Sequence, residues 1–212
     1  ATGDIQKNGR AVFIAAQQGR PEETVSEISR IFLGIQIQCA QCHDHPTDRW
    51  KQEQFHELVA FFPRVALRPQ QEPRSFIVTA TDFVGRRRTT NANNRFVGTL
   101  EHTMPNLVEP TQPGQVMTPK FFVSGQTLPA GTTDSVRRDS LARWITSPDN
   151  PWFAKAVTNR VWAELVGEGF YEPVDDIGPD RTPSAPKTMD YLAKEFTLSG
   201  YDLKWLMQTI MS

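Results

Sequence analysis

CAQCHDHPTDRW, residues 39–50, holds both cysteines of the chain and two of its four histidines. Its flanks decide the fold. Upstream, Pro21 with Glu22 and Glu23 carries the marks of a helix start: a fixed φ and acidic side chains at the positive end of the dipole. Val25, Ile28, Phe32 and Ile35 then recur at near-helical spacing, which predicts a helix running to about Ile37 and delivering the chain into Cys39. Downstream, Asp48 is the expected N-cap of a second helix. Its apolar stripe is Phe55, Leu58, Val59 and Phe62, and Pro63 closes it. The cysteines are therefore expected at a corner between two helices.

Outward from that corner the pattern changes twice. Residues 67–132 are rich in proline and glycine, lose helical periodicity and contain short β-prone runs: Phe76–Val84, Phe96–Leu100 and Lys120–Val123. They read as an irregular connector with a small β element, with a polar loop at Asn91–Asn94. From 133 to 212 helical signals return. One helix carries Leu141, Trp144 and Ile145. Another follows Pro151, with Phe153, Val157, Val161 and Leu165 on one face and Gly167 as its stop. A third spans about Ala185 to Leu198, and the last begins at Asp202. Trp144, Trp152 and Trp162 are the expected buried anchors. The fold class is mainly α: a helical N-terminal lobe over 1–66, the connector, and a helical C-terminal lobe. Ala1 is not a methionine and the final helical pattern reaches Ser212 without a stop signal, which reads as a piece of a longer chain.

Composition narrows the function classes. A chain of 212 residues, 38% hydrophobic and 22% charged, buries a sizeable core and is not a disordered sequence. No apolar run approaches the roughly 20 residues needed to span a bilayer. A formal net charge of −1 argues against nucleic acid as partner. The run Arg86, Arg87, Arg88 reads as a solvated loop tip. Neither a glycine-rich phosphate loop nor HExxH is present, and Glu172, Asp175 and Asp176 read as a capping or solvated acidic turn.

Cys39-Ala40-Gln41-Cys42-His43 matches the pattern for covalent attachment of c-type haem. Two cysteines three residues apart on a helical turn lie about 5–6 Å apart on one side. Each sulfur can then take one vinyl group of one haem, and the next residue, His43, is carried to the iron as proximal ligand. Trp50 and Phe55, with Phe61 and Phe62 nearby, are candidates to line the pocket. Met104, His102 and Met117 are candidates for the distal position. His45, two residues beyond His43, is expected to hydrogen-bond locally rather than reach the iron, and His56 reads as a partly exposed surface residue. Two alternatives stay open: a non-haem structural or binding module whose Cys-x-x-Cys is a disulfide or zinc site, and a peroxidase-like haem enzyme with an open sixth position. Four zinc ligands within seven residues would crowd one ion, because zinc sites draw their ligand pairs from separate segments.

Two stretches resemble known families. FLGIQIQCAQCHDHPTDRWKQEQFHELVAFF, Phe32–Phe62, resembles the planctomycete cytochrome-type domain with its CxxCHDHP motif and Asp-Arg-Trp-Lys helix. LARWITSPDNPWFAKAVTNRVWAELVGEGFYEPVDDIGP, Leu141–Pro179, is similar to the planctomycete-specific domain that follows it, through SPDNPWFA, NRVW and EPVDD. The resemblance implies an exported bacterial protein, periplasmic or at the cell surface. It also implies one haem c on Cys39, Cys42 and His43; with haem there, the expected role is that of an electron carrier serving an unidentified redox partner protein, with the enzyme alternative still open.

Overall fold

In a computed structural model of the chain, residues 2–71, 75–82 and 100–212 are described. They are mainly α, with seven α-helices and two small antiparallel sheets. In chain order the elements are β1 (Gly3–Asp4), α1 (Val12–Ala16), α2 (Pro21–Ile28), α3 (Gln52–Val59), β2 (Val65–Gln70), β3 (Ser75–Ala80), β4 (His102–Met104), β5 (Gln115–Met117), α4 (Asp134–Ile145), α5 (Pro151–Val166), α6 (Pro186–Leu198) and α7 (Leu203–Met211). The chain forms two compact units, each assembled from separated stretches. The first takes Ala1–Val25 and Glu53–Leu141, the second Ser26–Gln52 and Ala142–Ser212.

In the first unit the strand order is β1-β3-β2, with β2 and β3 in register from Val65↔Ala80 to Gln70↔Ser75. Pro69 has no N–H to give a ladder, and it sits on β2, an edge strand, where that donor is not needed on the outer side. Phe55, Leu58, Val59, Phe61, Val78 and Phe121 are buried here. Two guanidiniums are buried with them. Arg137 donates to both oxygens of Glu101 at 2.8 and 2.6 Å and to the Ala60 carbonyl at 2.6 Å. Arg64 donates to Glu101 and Asp82, both at 2.8 Å, and to the Leu100 carbonyl at 3.1 Å. Both side chains are fully buried. Buried charge is tolerable only when paired and hydrogen-bonded in this way.

The second unit packs α5, α6 and α7 around Ala154, Ala156, Phe170, Ile177, Met189, Leu192, Phe196 and Leu206. Asn150 caps α5 by accepting from the Trp152 N–H at 3.1 Å, with Pro151 in the first turn and Gly167 at φ 100° ending the helix. Asp202 caps α7 through the Lys204 and Trp205 N–H groups.

Several expectations are corrected. The first helix stops short of Ile37: after α2 the chain widens into a π-helical turn over Ser29–Leu33, and Gly34 at φ 67° closes it. An i→i+5 turn adds a residue and rotates the buried face. Ser29 and Leu33 therefore point inward and Phe32 is 37% exposed. Asp48 does not cap α3; the Gln52 N–H donates instead to Asp44 Oδ1 at 3.1 Å. Lys120–Val123 is not a strand but one side of a tight turn, in which the Gly125 N–H donates to the Phe121 carbonyl at 2.7 Å. Trp144, Trp152 and Trp162 are only half-buried. The acidic turn is not a helix cap, and of its three carboxylates only Glu172 is exposed: Asp175 pairs with Arg30 and Arg160, Asp176 pairs with Arg181, and Glu172 accepts from the Gly169 N–H. Arg86–Arg88, Asn91–Asn94 and most of Phe96–Leu100 lie outside the described residues.

Candidate functional site

The Cys-x-x-Cys-His element lies in the second unit. Residues Gln38–Gln41 form a single 3-10 turn with Cys42 at its end. Side chains at i and i+3 eclipse on a 3-10 turn, so Cys39 and Cys42 emerge on the same side. Ala40, between them, is fully buried and anchors the turn, while both cysteines are exposed and neither is in a disulfide.

His43 follows directly and is exposed. Its Nδ1 lies 2.7 Å from the Asp44 carbonyl oxygen. A carbonyl can only accept, so a neutral His43 carries its proton on Nδ1 and leaves the lone pair on Nε2. That is the tautomer in which an imidazole binds a metal through Nε2 while its other nitrogen is held by a backbone carbonyl. At His45 the roles are reversed: Nδ1 accepts from the Thr47 N–H, at a long 3.4 Å, and the backbone N–H donates to the Trp50 carbonyl at 2.8 Å. The local role expected for His45 is the one it has.

Asp44 closes the loop that carries these groups. Its Oδ2 accepts from Lys51 at 2.7 Å and its Oδ1 from the first N–H of α3. Lys51 first, then the Gln52 N–H, hold its carboxyl below the usual 3.8. Arg49 pairs with Asp180, tying the same loop to the segment after the EPVDD motif.

The other expected residues are placed differently. Trp50 is 5% exposed, with its ring edge-on to Trp152 at 5.9 Å in the second unit. Phe55 is fully buried in the first unit, edge-on to His56. His56 is not a surface residue: it is 2% exposed, and its Nδ1 lies 2.8 Å from Nε2 of His102. Burial, and then the neighbouring His56, pull the His102 pKa down from 6.5 to about 4. His102 and Met104 lie on β4, and Met117 lies on β5 directly across from His102. The three distal candidates therefore share one two-stranded ribbon in the first unit.

Counting only histidine, cysteine and carboxylate side chains, no group of three or more is placed to hold a metal ion among the described residues. A cleft of about 340 Å³ opens in the second unit, lined by Pro151, Lys155, Asp190, Lys194 and Leu198 among others; none of the Cys-x-x-Cys-His residues lines it. Among the described residues no helix is long and apolar enough to cross a membrane.

Reasoning from the sequence missed Asn159 and Arg160. Asn159 is fully buried; it donates to the Tyr171 and Val174 carbonyls at 3.1 and 3.0 Å and accepts from the Tyr171 N–H at 3.1 Å. Arg160 donates to Asp175 and to the Arg30 and Ile31 carbonyls. The signal was present, an Asn-Arg pair in the middle of α5 and within the NRVW motif, but only the tertiary partners show what it does.

Residues 2–66 match the family PSCyt2, described as a protein of unknown function (DUF1549), and residues 137–212 match PSD1, described as a protein of unknown function (DUF1553). No curated protein and no solved structure matches the chain. Both matched families are planctomycete-type domains, and between them they cover both helical lobes of this chain.

Proposed function

We propose that this chain is a c-type cytochrome domain that carries one haem on Cys39 and Cys42, with His43 as proximal ligand, and serves as an electron carrier. The observation that carries the reading is the joint geometry of the five-residue element. Two exposed thiols eclipse on one 3-10 turn, and the adjacent histidine has Nδ1 committed to the Asp44 carbonyl, with Nε2 as its lone-pair nitrogen. The donor set fits the group: two sulfurs for two thioethers and one imidazole for the iron. Haem bound there supplies one-electron transfer. The chain holds it, orients the imidazole through the Asp44 carbonyl, and fixes the loop through Asp44, Lys51 and Gln52.

Covalent attachment of this kind takes place outside the cytoplasm, so the reading carries an exported bacterial protein, periplasmic or at the cell surface, with a second redox protein as partner. In a host with cytochrome c maturation, the denatured protein should keep haem absorption and gain the mass of one haem. Cys39→Ser and Cys42→Ser together should lose both. Matured protein with neither property would exclude the haem reading and leave a disulfide or zinc module. The oxidised spectrum of the native protein then separates a six-coordinate carrier from a high-spin, peroxidase-like site, and substitution of Met104, His102 and Met117 in turn tests whether any of them reaches the iron.

A further inference from the structure

The first unit places four soft or borderline donors together. On a β-strand successive side chains alternate faces, so His102 and Met104 share one face of β4. Met117 is the direct cross-strand partner of His102, which puts its Cβ within about 5.5 Å on that same face. The burial follows: Met117 is 4% exposed, whereas Val116, on the opposite face, is 61% exposed. Onto this face α3 brings His56, whose ring is nearly parallel to that of His102, 16° between planes and 5.0 Å between centroids, with nitrogens 2.8 Å apart. That centroid separation is what two rings sharing an in-plane N–H···N bond require, so the two lone-pair directions converge on one point between them.

We propose that His56, His102, Met104 and Met117 form a binding site for a soft monovalent cation, Cu(I) by ligand class. Thioether sulfur selects Cu(I) over the harder divalent ions, and imidazole is compatible with it. The N–H shared between the rings is what a cation replaces: the ring that donates it takes up its other tautomer, its proton passing to the far ring nitrogen, and both facing lone pairs then bind the cation. Metal–imidazole bonds of about 2.0 Å at a tetrahedral angle need the two nitrogens about 3.3 Å apart, an opening of about half an ångström from the present 2.8 Å. The sheet supplies the rest: Gly114 lies against the Met104 backbone, and a Cβ there would run into Thr103 Cγ2 at 2.9 Å, so the residue without a side chain lets the ribbon close.

The test uses the full chain carrying Cys39→Ser and Cys42→Ser, which removes the competing thiols and makes the result independent of haem. Titration with Cu(I) under anaerobic conditions, against a colorimetric Cu(I) chelator, should show one equivalent bound. Met104→Leu and Met117→Leu conserve volume and keep the ribbon folded; each should weaken Cu(I) binding at least tenfold, and His102→Leu should do the same. Ring resonances of His56 and His102 should shift on Cu(I) addition and stay unchanged with Zn(II). Binding that survives both methionine substitutions, a preference for Zn(II), or no binding at all would overturn the proposal. So would a haem spectrum of the matured protein that changes with Met104→Leu or Met117→Leu, since these residues would then serve the iron.

Discussion

Asn159 shows how one buried side chain can hold a loop. Its amide offers two donors and one acceptor to Tyr171 and Val174, so the chain before the EPVDD turn is pinned to α5 without any charge. Asn159→Leu keeps the branching and heavy-atom count of the side chain but orphans one N–H and two carbonyls, at about 1–3 kcal/mol for each strongly desolvated group. We expect a loss of about 2–4 kcal/mol in urea unfolding, with Asn159→Asp intermediate because the acceptor survives. The same logic is harsher where charge is involved. Arg137→Met takes two hydrogen bonds and a buried cation from the largely buried Glu101, and about 3–5 kcal/mol should be lost. Replacing Glu101 by Leu in the same chain should recover part of that loss, a coupling that a double-mutant cycle measures directly. None of these buried polar contacts is legible in the sequence, because the value of Asn159 or Arg137 depends on carbonyls more than ten residues away. Cys39, Cys42 and His43 were legible, since their spacing alone fixes their mutual placement.

At the scale of elements, what could be read were the long helices with chemical punctuation. Asn150-Pro151 and Gly167 bound α5, and Asp202 starts α7, where local capping decides the boundary. Less legible were the three-residue strands β4 and β5, too short for an alternating pattern, and β2, which includes Pro69, a residue that a strand tolerates only at an edge such as this one. The π-helical turn was also hidden, since Phe32 fits a regular stripe that the widened turn breaks. Gly34 ends that turn, and two separate costs meet there. At φ 67° an alanine is strained by about 1–2 kcal/mol, and its Cβ would stand 2.6 Å from Ile177 Cδ1 and 3.1 Å from Ala156 Cβ. Gly125, at φ 70° with nothing within 4 Å, carries the first cost alone. Gly34→Ala should therefore destabilise by at least 1 kcal/mol more than Gly125→Ala, the size of a typical overpacking penalty. Equal losses in thermal melts would show that the Ile177 side chain simply moves aside.

Over the whole molecule, carboxylates set the acid limit. Partial burial pushes the Asp82 carboxyl up, but the Asp134 N–H and the Arg64 guanidinium together hold it below 3.8; Asp4, Asp44 and Asp180 are held low as well. A carboxyl with a folded pKa below its unfolded value binds fewer protons when folded, so its contribution is complete above 3.8 and is lost as pH falls through the folded value. Thermal stability should begin to fall below about pH 6.5, where the unfolded chain protonates His102 and the folded chain does not, and should fall further below 4 as the carboxylates protonate. Asp82→Asn should lower stability at pH 7 and flatten that drop; a slope unchanged from the parent chain would remove Asp82 from the account.

The two matched families follow the linear sequence, but the units interleave it. Residues 137–212 match PSD1, while the second unit also needs Ser26–Gln52. That earlier stretch supplies Arg30 to Asp175, the Arg30 and Ile31 carbonyls to Arg160, the Gly34 carbonyl to the Ile177 N–H at 2.6 Å, and Leu33, Ile35 and Ile37 to the buried set. Without it Arg160 and Asp175 keep each other, but the guanidinium loses both backbone acceptors and Ala156 and Ile177 lose the glycine they pack against. Each fully buried aliphatic side chain is worth about 1.5–3 kcal/mol, so three of them rival the whole stability of a small domain. A chain of residues 137–212 alone should therefore keep helical circular dichroism but unfold over a broad urea range. Joining 26–52 to 142–212 through a flexible linker should restore a sharp transition, and Gly34→Ala in the joined chain should broaden it again. A cooperative transition in 137–212 alone, with a midpoint equal to that of the joined chain, would mean that the family boundary, and not the spatial unit, is the folding unit.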